Sequence, residues 1–257
     1  LDMRTSVIPT IFGEKMVLRF LDRKTEIDHC GTFGMNEENY KKMIQILRSP
    51  GGILYLTGPT GCGKTTTLYL ILEYLLRQPV NIVTIEDPVE RYLPGISQIQ
   101  VNEQAGLTFE SGLRSVLRQD PDIIMVGETR DPETAKISVR AAITGHLVLS
   151  TLHTKSAVGG ITRMADMGVE PYLTADILCG MAAQRLVRKV CPHCAEAVEL
   201  TEEEQRLLGR TVKSAKRGRG CEHCLNTGYK GRTAVHEIFV MDRELKRMTA
   251  ENRPAWE

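Results

Sequence analysis

Ile53-Leu54-Tyr55-Leu56-Thr57, followed by Gly58-Pro59-Thr60-Gly61-Cys62-Gly63-Lys64-Thr65, is the stretch that decides the fold. The short apolar run reads as a strand, and the residues from Lys64 to about Arg77 read as a helix. The octapeptide between them fits G-x-x-x-x-G-K-[ST] in full. Its glycines allow a tight loop whose backbone N–H groups turn inward onto phosphate oxygens. The helix opening at Lys64 presents its positive end to the same anion. Lys64 is expected to reach the β- and γ-phosphates of ATP, and the Thr65 hydroxyl to bind Mg²⁺. Gly58, Pro59, Thr60, Gly61, Cys62, Gly63, Lys64, Thr65 and Thr66 are thus the candidate nucleotide-binding residues.

Strands and helices alternate outward from this unit. Upstream, Asn36 caps a helix to about Arg48, with Met43, Ile44 and Leu47 on one face, and Pro50-Gly51-Gly52 ends it. Downstream, strands are predicted over Asn81 to Ile85, Ile123 to Val126 and Leu147 to Thr151. Helices are predicted over Thr108 to Arg118, Pro132 to Ile143, and near 157–167 and 171–186. The pattern predicts an α/β fold, with helices on both faces of a mainly parallel sheet. Leu1 to Leu21 reads as a hairpin turning at Phe12-Gly13-Glu14-Lys15, and residues 22–35 read as a linker. Residue 1 is Leu, not Met, so an upstream part is expected to be missing.

Hydrolysis needs a carboxylate at a neighbouring strand tip to handle Mg²⁺ and water. Ile123-Ile124-Met125-Val126-Gly127-Glu128 supplies one, at the strand edge where ligands bind in open α/β sheets. Glu128 is the candidate base. Thr84-Ile85-Glu86-Asp87-Pro88-Val89-Glu90 ends another strand in acidic residues, and Glu86 and Glu90 are candidates to face Mg²⁺–ATP; a polar loop after a strand would read the same way. His146 and His153 flank a strand, which separates them by more than about 20 Å at ~3.3 Å per residue. They cannot share one metal unless the chain folds back. Either could sense the γ-phosphate, and either could equally be a hydrogen-bonded structural histidine.

Together these segments resemble the secretion ATPase superfamily, which includes the ATPases of type II secretion and type IV pilus assembly. Ile85 to Glu90 is similar to its Asp box, Glu128 to its Walker B glutamate, and Gly145-His146 through Leu152-His153-Thr154 to its His box. Arg118-Gln119-Asp120-Pro121-Asp122 and Glu128-Thr129-Arg130-Asp131 also match, although Thr129 stands where an aliphatic residue is expected. The resemblance implies a RecA-like P-loop NTPase domain over 31–190. Residues 1–30 resemble the end of the family's PAS-like N-terminal α/β domain plus a linker, and 225–257 resemble the closing part of the ATPase domain. It further implies a homo-hexameric ring in which Arg4 and Arg19 reach a neighbour's phosphates. Arg114 and Arg130 would complete the charge clamp, and His153 and Glu86 would join Lys64 and Glu128 in catalysis.

Cys191-Pro192-His193-Cys194 and Cys221-Glu222-His223-Cys224 pair four thiols at the spacing of a structural Zn²⁺ site. Cys191, Cys194, Cys221 and Cys224 are the candidate ligands over a segment at 191–224; His193 and His223 could substitute. This segment and Gly228-Tyr229-Lys230-Gly231-Arg232 resemble the extension and secretion branch of the family rather than the retraction branch. Arg210, Lys213, Lys216, Arg217 and Arg219 lie between the knuckles, as a solvated loop or as a contact for anionic lipid.

The 257-residue chain has a formal net charge of +1 and 5% aromatic residues. That composition gives little support to a nucleic-acid translocase, the rival ring ATPase, because stacking platforms are scarce. No apolar run approaches the roughly 18 residues of a spanning helix. Seven cysteines, an odd number, fit a reducing cytosol better than a disulfide framework. The expectation is a motor at the cytoplasmic face of the inner membrane. It would turn a membrane platform protein to assemble pilins or pseudopilins, in either type II secretion or pilus extension.

Overall fold

The computed structural model describes residues 2–21, 32–208, 212 and 214–254. Cys30, Arg210, Lys213 and most of the expected linker lie outside the described residues. The chain divides into two compact units, Leu1–Gln184 with His236–Glu257, and Arg185–Val235.

Strands β1 (Asp2–Thr10) and β2 (Gly13–Leu21) form a two-stranded antiparallel sheet, with Arg4 directly opposite Arg19. Helix α1 (Glu37–Leu47) begins where the Asn36 side chain accepts the Asn39 N–H at 2.8 Å, a cap for one of the first-turn donors that a helix cannot satisfy itself. Phe33 and Met35, in the expected linker, are buried, and the Phe33 ring packs on Tyr40 and Tyr74. This stretch is therefore an anchor, with two apolar side chains worth roughly 1.5–3 kcal/mol each when fully buried.

The central sheet follows from six strands that run parallel: β3 (Gly52–Thr57), β4 (Ile82–Glu86), β5 (Ser97–Gln100), β6 (Ile123–Val126), β7 (Leu147–Leu152) and β8 (Leu178–Val190). With β11 (Tyr229–Val240) the order is β11-β8-β3-β7-β6-β4-β5. Side chains alternate between faces. Ile53, Tyr55, Val83, Ile85, Ile124, Val126 and Val148 enter one core with the helices α3 (Phe109–Val116), α4 (Pro132–Ile143), α5 (Gly159–Asp166) and α6 (Pro171–Ile177). Leu54, Leu56, Ile82, Ile123, Met125, Leu147 and Leu149 enter the other, with α1 and α2 (Lys64–Leu75). Burial on both faces is why the strands read as continuous apolar runs rather than alternating ones.

The helix expected over 171–186 ends at Ile177, and the chain continues as β8. Met181-Ala182-Ala183-Gln184 has strong helix propensity, but the slot beside β3 demands an extended chain with a small residue. A Cβ at Gly180 would stand 2.5 Å from both Ile46 Cδ1 and the Phe239 carbonyl. Tertiary packing overrides local preference here.

In the second unit, β9 (Ala195–Glu199) pairs antiparallel with β10 (Ser214–Gly218), and α7 (Glu202–Leu208) lies between them in sequence. Helix α8 (Arg243–Ala250) closes the first unit.

Candidate functional site

The phosphate loop leaves β3 at the C-terminal end of the parallel sheet. Gly58, Gly61 and Gly63 have φ of +141°, +76° and +90°, which other residues adopt only under strain. Gly63 opens α2, and no side chain caps that end. The first-turn N–H groups of α2 therefore lack the side-chain acceptor that α1 has, the arrangement that suits an incoming anion. Lys64 is buried, and its Nζ donates to the carbonyls of Gly58 at 2.7 Å and Pro59 at 3.3 Å. Burial lowers its pKa, while Cys62 and the Glu128 carboxylate pull the other way.

Glu128 stands just beyond β6, and its side chain is only 15% exposed. Its carboxylate meets Arg130 Nη2 at 2.5 Å and His153 Nε2 at 3.4 Å. Thr129, the departure from the family pattern, is buried, and its hydroxyl lies 2.9 Å from that of Ser150. The Thr151 hydroxyl donates to the Gly127 carbonyl at 2.9 Å. Thr57 and Thr154 hydroxyls lie 2.6 Å apart, tying the strand before the phosphate loop to the residue after His153. His146 is placed differently. Its Nδ1 lies 2.9 Å from the Ala141 carbonyl and 3.0 Å from the Thr144 hydroxyl, so it stitches the end of α4.

Glu86 ends β4, three strands from β3, or about 14 Å at ~4.8 Å per strand. It is buried, with Oε2 accepting from the Tyr69 hydroxyl at 2.5 Å and Oε1 from Thr84 at 2.6 Å and Gln98 at 3.2 Å. The Tyr69 oxygen also accepts the backbone N–H groups of Glu90 and Arg91. Burial and the Glu86 carboxylate raise the Tyr69 pKa and keep the phenol protonated. Glu86 is thus fastened to the helix that carries Lys64, while the Glu90 side chain lies on the surface. Arg114 pairs with Glu110 one turn earlier on α3, at 2.8 Å.

Sequence reasoning missed Tyr69 and Gln184. Gln184 Nε2 donates to the Cys62 carbonyl at 2.7 Å, and its Oε1 accepts from the Thr67 hydroxyl at 2.8 Å. Nothing local in the sequence marked either, because Tyr69 lies five residues from Lys64 and does not share its helix face.

In the second unit, the sulfurs of Cys191, Cys194, Cys221 and Cys224 all lie within 4.8 Å of one another. The distances are 3.9 Å for Cys191–Cys221, 3.8 Å for Cys194–Cys224 and 3.7 Å for Cys221–Cys224. A tetrahedron with Zn–S bonds of ≈ 2.3 Å has S···S edges of about 3.8 Å, so the donor set fits zinc. Burial raises the Cys224 thiol, but backbone N–H groups of Cys221 and Gly228 outweigh it and bring it down to about 6. His193 and His223 stack on each other, centroids 4.1 Å apart. Arg217 and Arg219 of the basic stretch pair with Glu204 at 2.6 Å and Glu196 at 3.3 Å.

A glycine-rich phosphate loop at the tip of a parallel sheet, with a histidine after the adjacent strand β7 and an acid after β6, one strand further, defines a P-loop nucleotide-binding domain of the α/β class. The chain belongs to the family of type II/IV secretion system proteins, which it matches over residues 1–257. It is 50% identical over 248 residues to type II secretion system protein E of Pseudomonas aeruginosa, covering 95% of this chain and 49% of that protein. It is 48% identical over 261 residues to the type IV pilus assembly ATPase PilB of Thermus thermophilus, covering 100% of this chain and 29% of that one. A crystal structure of the pilus retraction motor PilT with bound ADP superposes with a TM-score of 0.71 at 28% identity, covering 97% of this chain and 63% of that one. The chain spans about half the length, or less, of these curated relatives. No helix among the described residues is long and apolar enough to cross a membrane.

Proposed function

We propose that this chain is the ATP-hydrolysing part of a ring motor that powers assembly of pilins or pseudopilins. The observation that carries the reading is the left-handed glycine loop opening α2 with no side-chain cap, beside the largely buried Glu128 carboxylate held by Arg130 and His153. Residues 58–66 would hold the phosphates through backbone N–H groups, with Lys64 leaving the Gly58 and Pro59 carbonyls to meet the terminal phosphate. Thr65 would hold Mg²⁺, which supplies charge neutralisation when bound. Glu128 would orient the attacking water, and His153, against its carboxylate, would report the γ-phosphate. Arg130 would turn from Glu128 to the phosphates as charge develops there. Glu86 would act in this reading by keeping the acidic strand end against α2, and the exposed Glu90 would face Mg²⁺–ATP from the solvent side.

A guanidinium pair from β1 and β2, Arg4 and Arg19, would complete the site of an adjoining subunit in a homo-hexamer, with Arg114 contributing to the same clamp. Relatives from type II secretion and from type IV pilus assembly match almost equally, so the proposal covers either machine. A platform protein at the cytoplasmic face of the inner membrane is the proposed load. Contact with anionic lipid would fall to the basic stretch of Arg210, Lys213, Lys216, Arg217 and Arg219, of which Arg217 and Arg219 would have to leave Glu204 and Glu196. The four thiolates would hold Zn²⁺ as a structural cross-link. Phosphate release from MgATP tests the reading. Hydrolysis that disappears in Lys64→Ala is expected; hydrolysis that survives this substitution contradicts it.

A further inference from the structure

Gln184 is the last residue of the first unit before the chain leaves it, and His236 is the first on its return. Gln184 is 2% exposed, and every polar atom of its side chain is engaged. Nε2 donates to the Cys62 carbonyl, while Oε1 accepts from Thr67 and lies 3.2 Å from His236 Nε2. Its own carbonyl would stand 2.4 Å from a Cβ at Gly58, so Gln184 meets the loop at both Gly58 and Cys62. The position needs a side chain with one end donating to a carbonyl and the other accepting two donors, which an amide supplies at every pH and a carboxyl only when protonated.

The consequence comes from peptide planarity. In a trans peptide the carbonyl of one residue and the N–H of the next point in opposite directions. Drawing the Cys62 carbonyl back toward β8 therefore turns the Gly63 N–H the other way, into the hollow of the loop. We infer that Gln184 is a positioning residue for nucleotide, aiming the Gly63 N–H at the phosphates through its bond to the Cys62 carbonyl. The inference rests on the nucleotide-binding reading above. His236 Nε2–H can donate to Oε1 in either charge state of the ring, so the arrangement persists across mild pH.

The experiment measures binding of a fluorescent ATP analogue with Mg²⁺ to the wild-type chain, Gln184→Glu and Gln184→Met at about pH 8 and about pH 6. At the higher pH both variants should bind roughly tenfold more weakly, having lost the donor to Cys62. Burial raises the pKa of the new carboxyl. Its protonated hydroxyl should restore the bond at the lower pH, bringing Gln184→Glu to within about threefold of wild type while Gln184→Met stays weak. Wild-type affinity in either variant at the higher pH, or equal losses for Glu and Met at both pH values, overturns the inference. If Gln184→Glu does not fold, Gln184→Met alone decides by the same criterion. If neither folds, Gln184 is a core residue and the inference fails. A wild-type chain that does not bind contradicts the nucleotide reading instead.

Discussion

Glu128 has its carboxylate between the Arg130 guanidinium and the His153 ring. Replacing it with Gln keeps the shape and removes the base. Steady-state hydrolysis should fall by about 10²–10⁴-fold, with nucleotide affinity held within a few-fold; kinetics beside equilibrium binding measure both. Tyr69 predicts something different. In Tyr69→Phe the Glu86 carboxylate loses a buried donor and two backbone N–H groups lose their acceptor. The urea midpoint should drop by an amount equivalent to about 1–3 kcal/mol; an unchanged midpoint would mean that the hydroxyl holds nothing. Lys64, Thr65 and Glu128 were legible as a pattern because a phosphate loop and a strand-tip acid are local in sequence. Tyr69 and Gln184 were not, because their partners are distant segments brought together by the sheet.

Among the elements, β8 shows where local reading runs out. A helix was expected through residue 186, and the chain turns to strand at Leu178, because a parallel sheet needed a strand beside β3 and Gly180 leaves room for Ile46 and β11. Gly180→Ala should destabilise the chain by roughly 1–3 kcal/mol, since one of the clashing atoms is a backbone oxygen that cannot swing away. A Gly180→Ala melting temperature equal to that of wild type would mean that the strand is looser than drawn. Strand β5 went unread for the opposite reason: Ser97-Gln98-Ile99-Gln100 lies at the sheet edge, where only pairing with β4 makes it a strand. Strands β3, β6 and β7, buried on both faces, announced themselves as apolar runs.

Across the whole chain, the two units should respond separately to metal removal. Elemental analysis is expected to find one zinc per chain. A chelator should expose amides over 185–235 to hydrogen exchange while those of β3, β6 and β7 stay protected; loss of protection everywhere would contradict this. The pH dependence has a definite sign. The folded Cys224 thiol sits at about 6, below its ordinary value near 9. A lowered thiol contributes above its ordinary value and fades as pH falls, and zinc needs the deprotonated thiolates, so acid should release zinc and loosen this unit. The most direct measurement is a structure of the chain with Mg²⁺ and a non-hydrolysable ATP analogue. The β- and γ-phosphates should lie over residues 58–65, with Lys64 moved from the Gly58 carbonyl onto them and Glu128 facing the γ-phosphate. A nucleotide bound elsewhere, or Lys64 still on the Gly58 carbonyl with the loop empty, would contradict the motor reading.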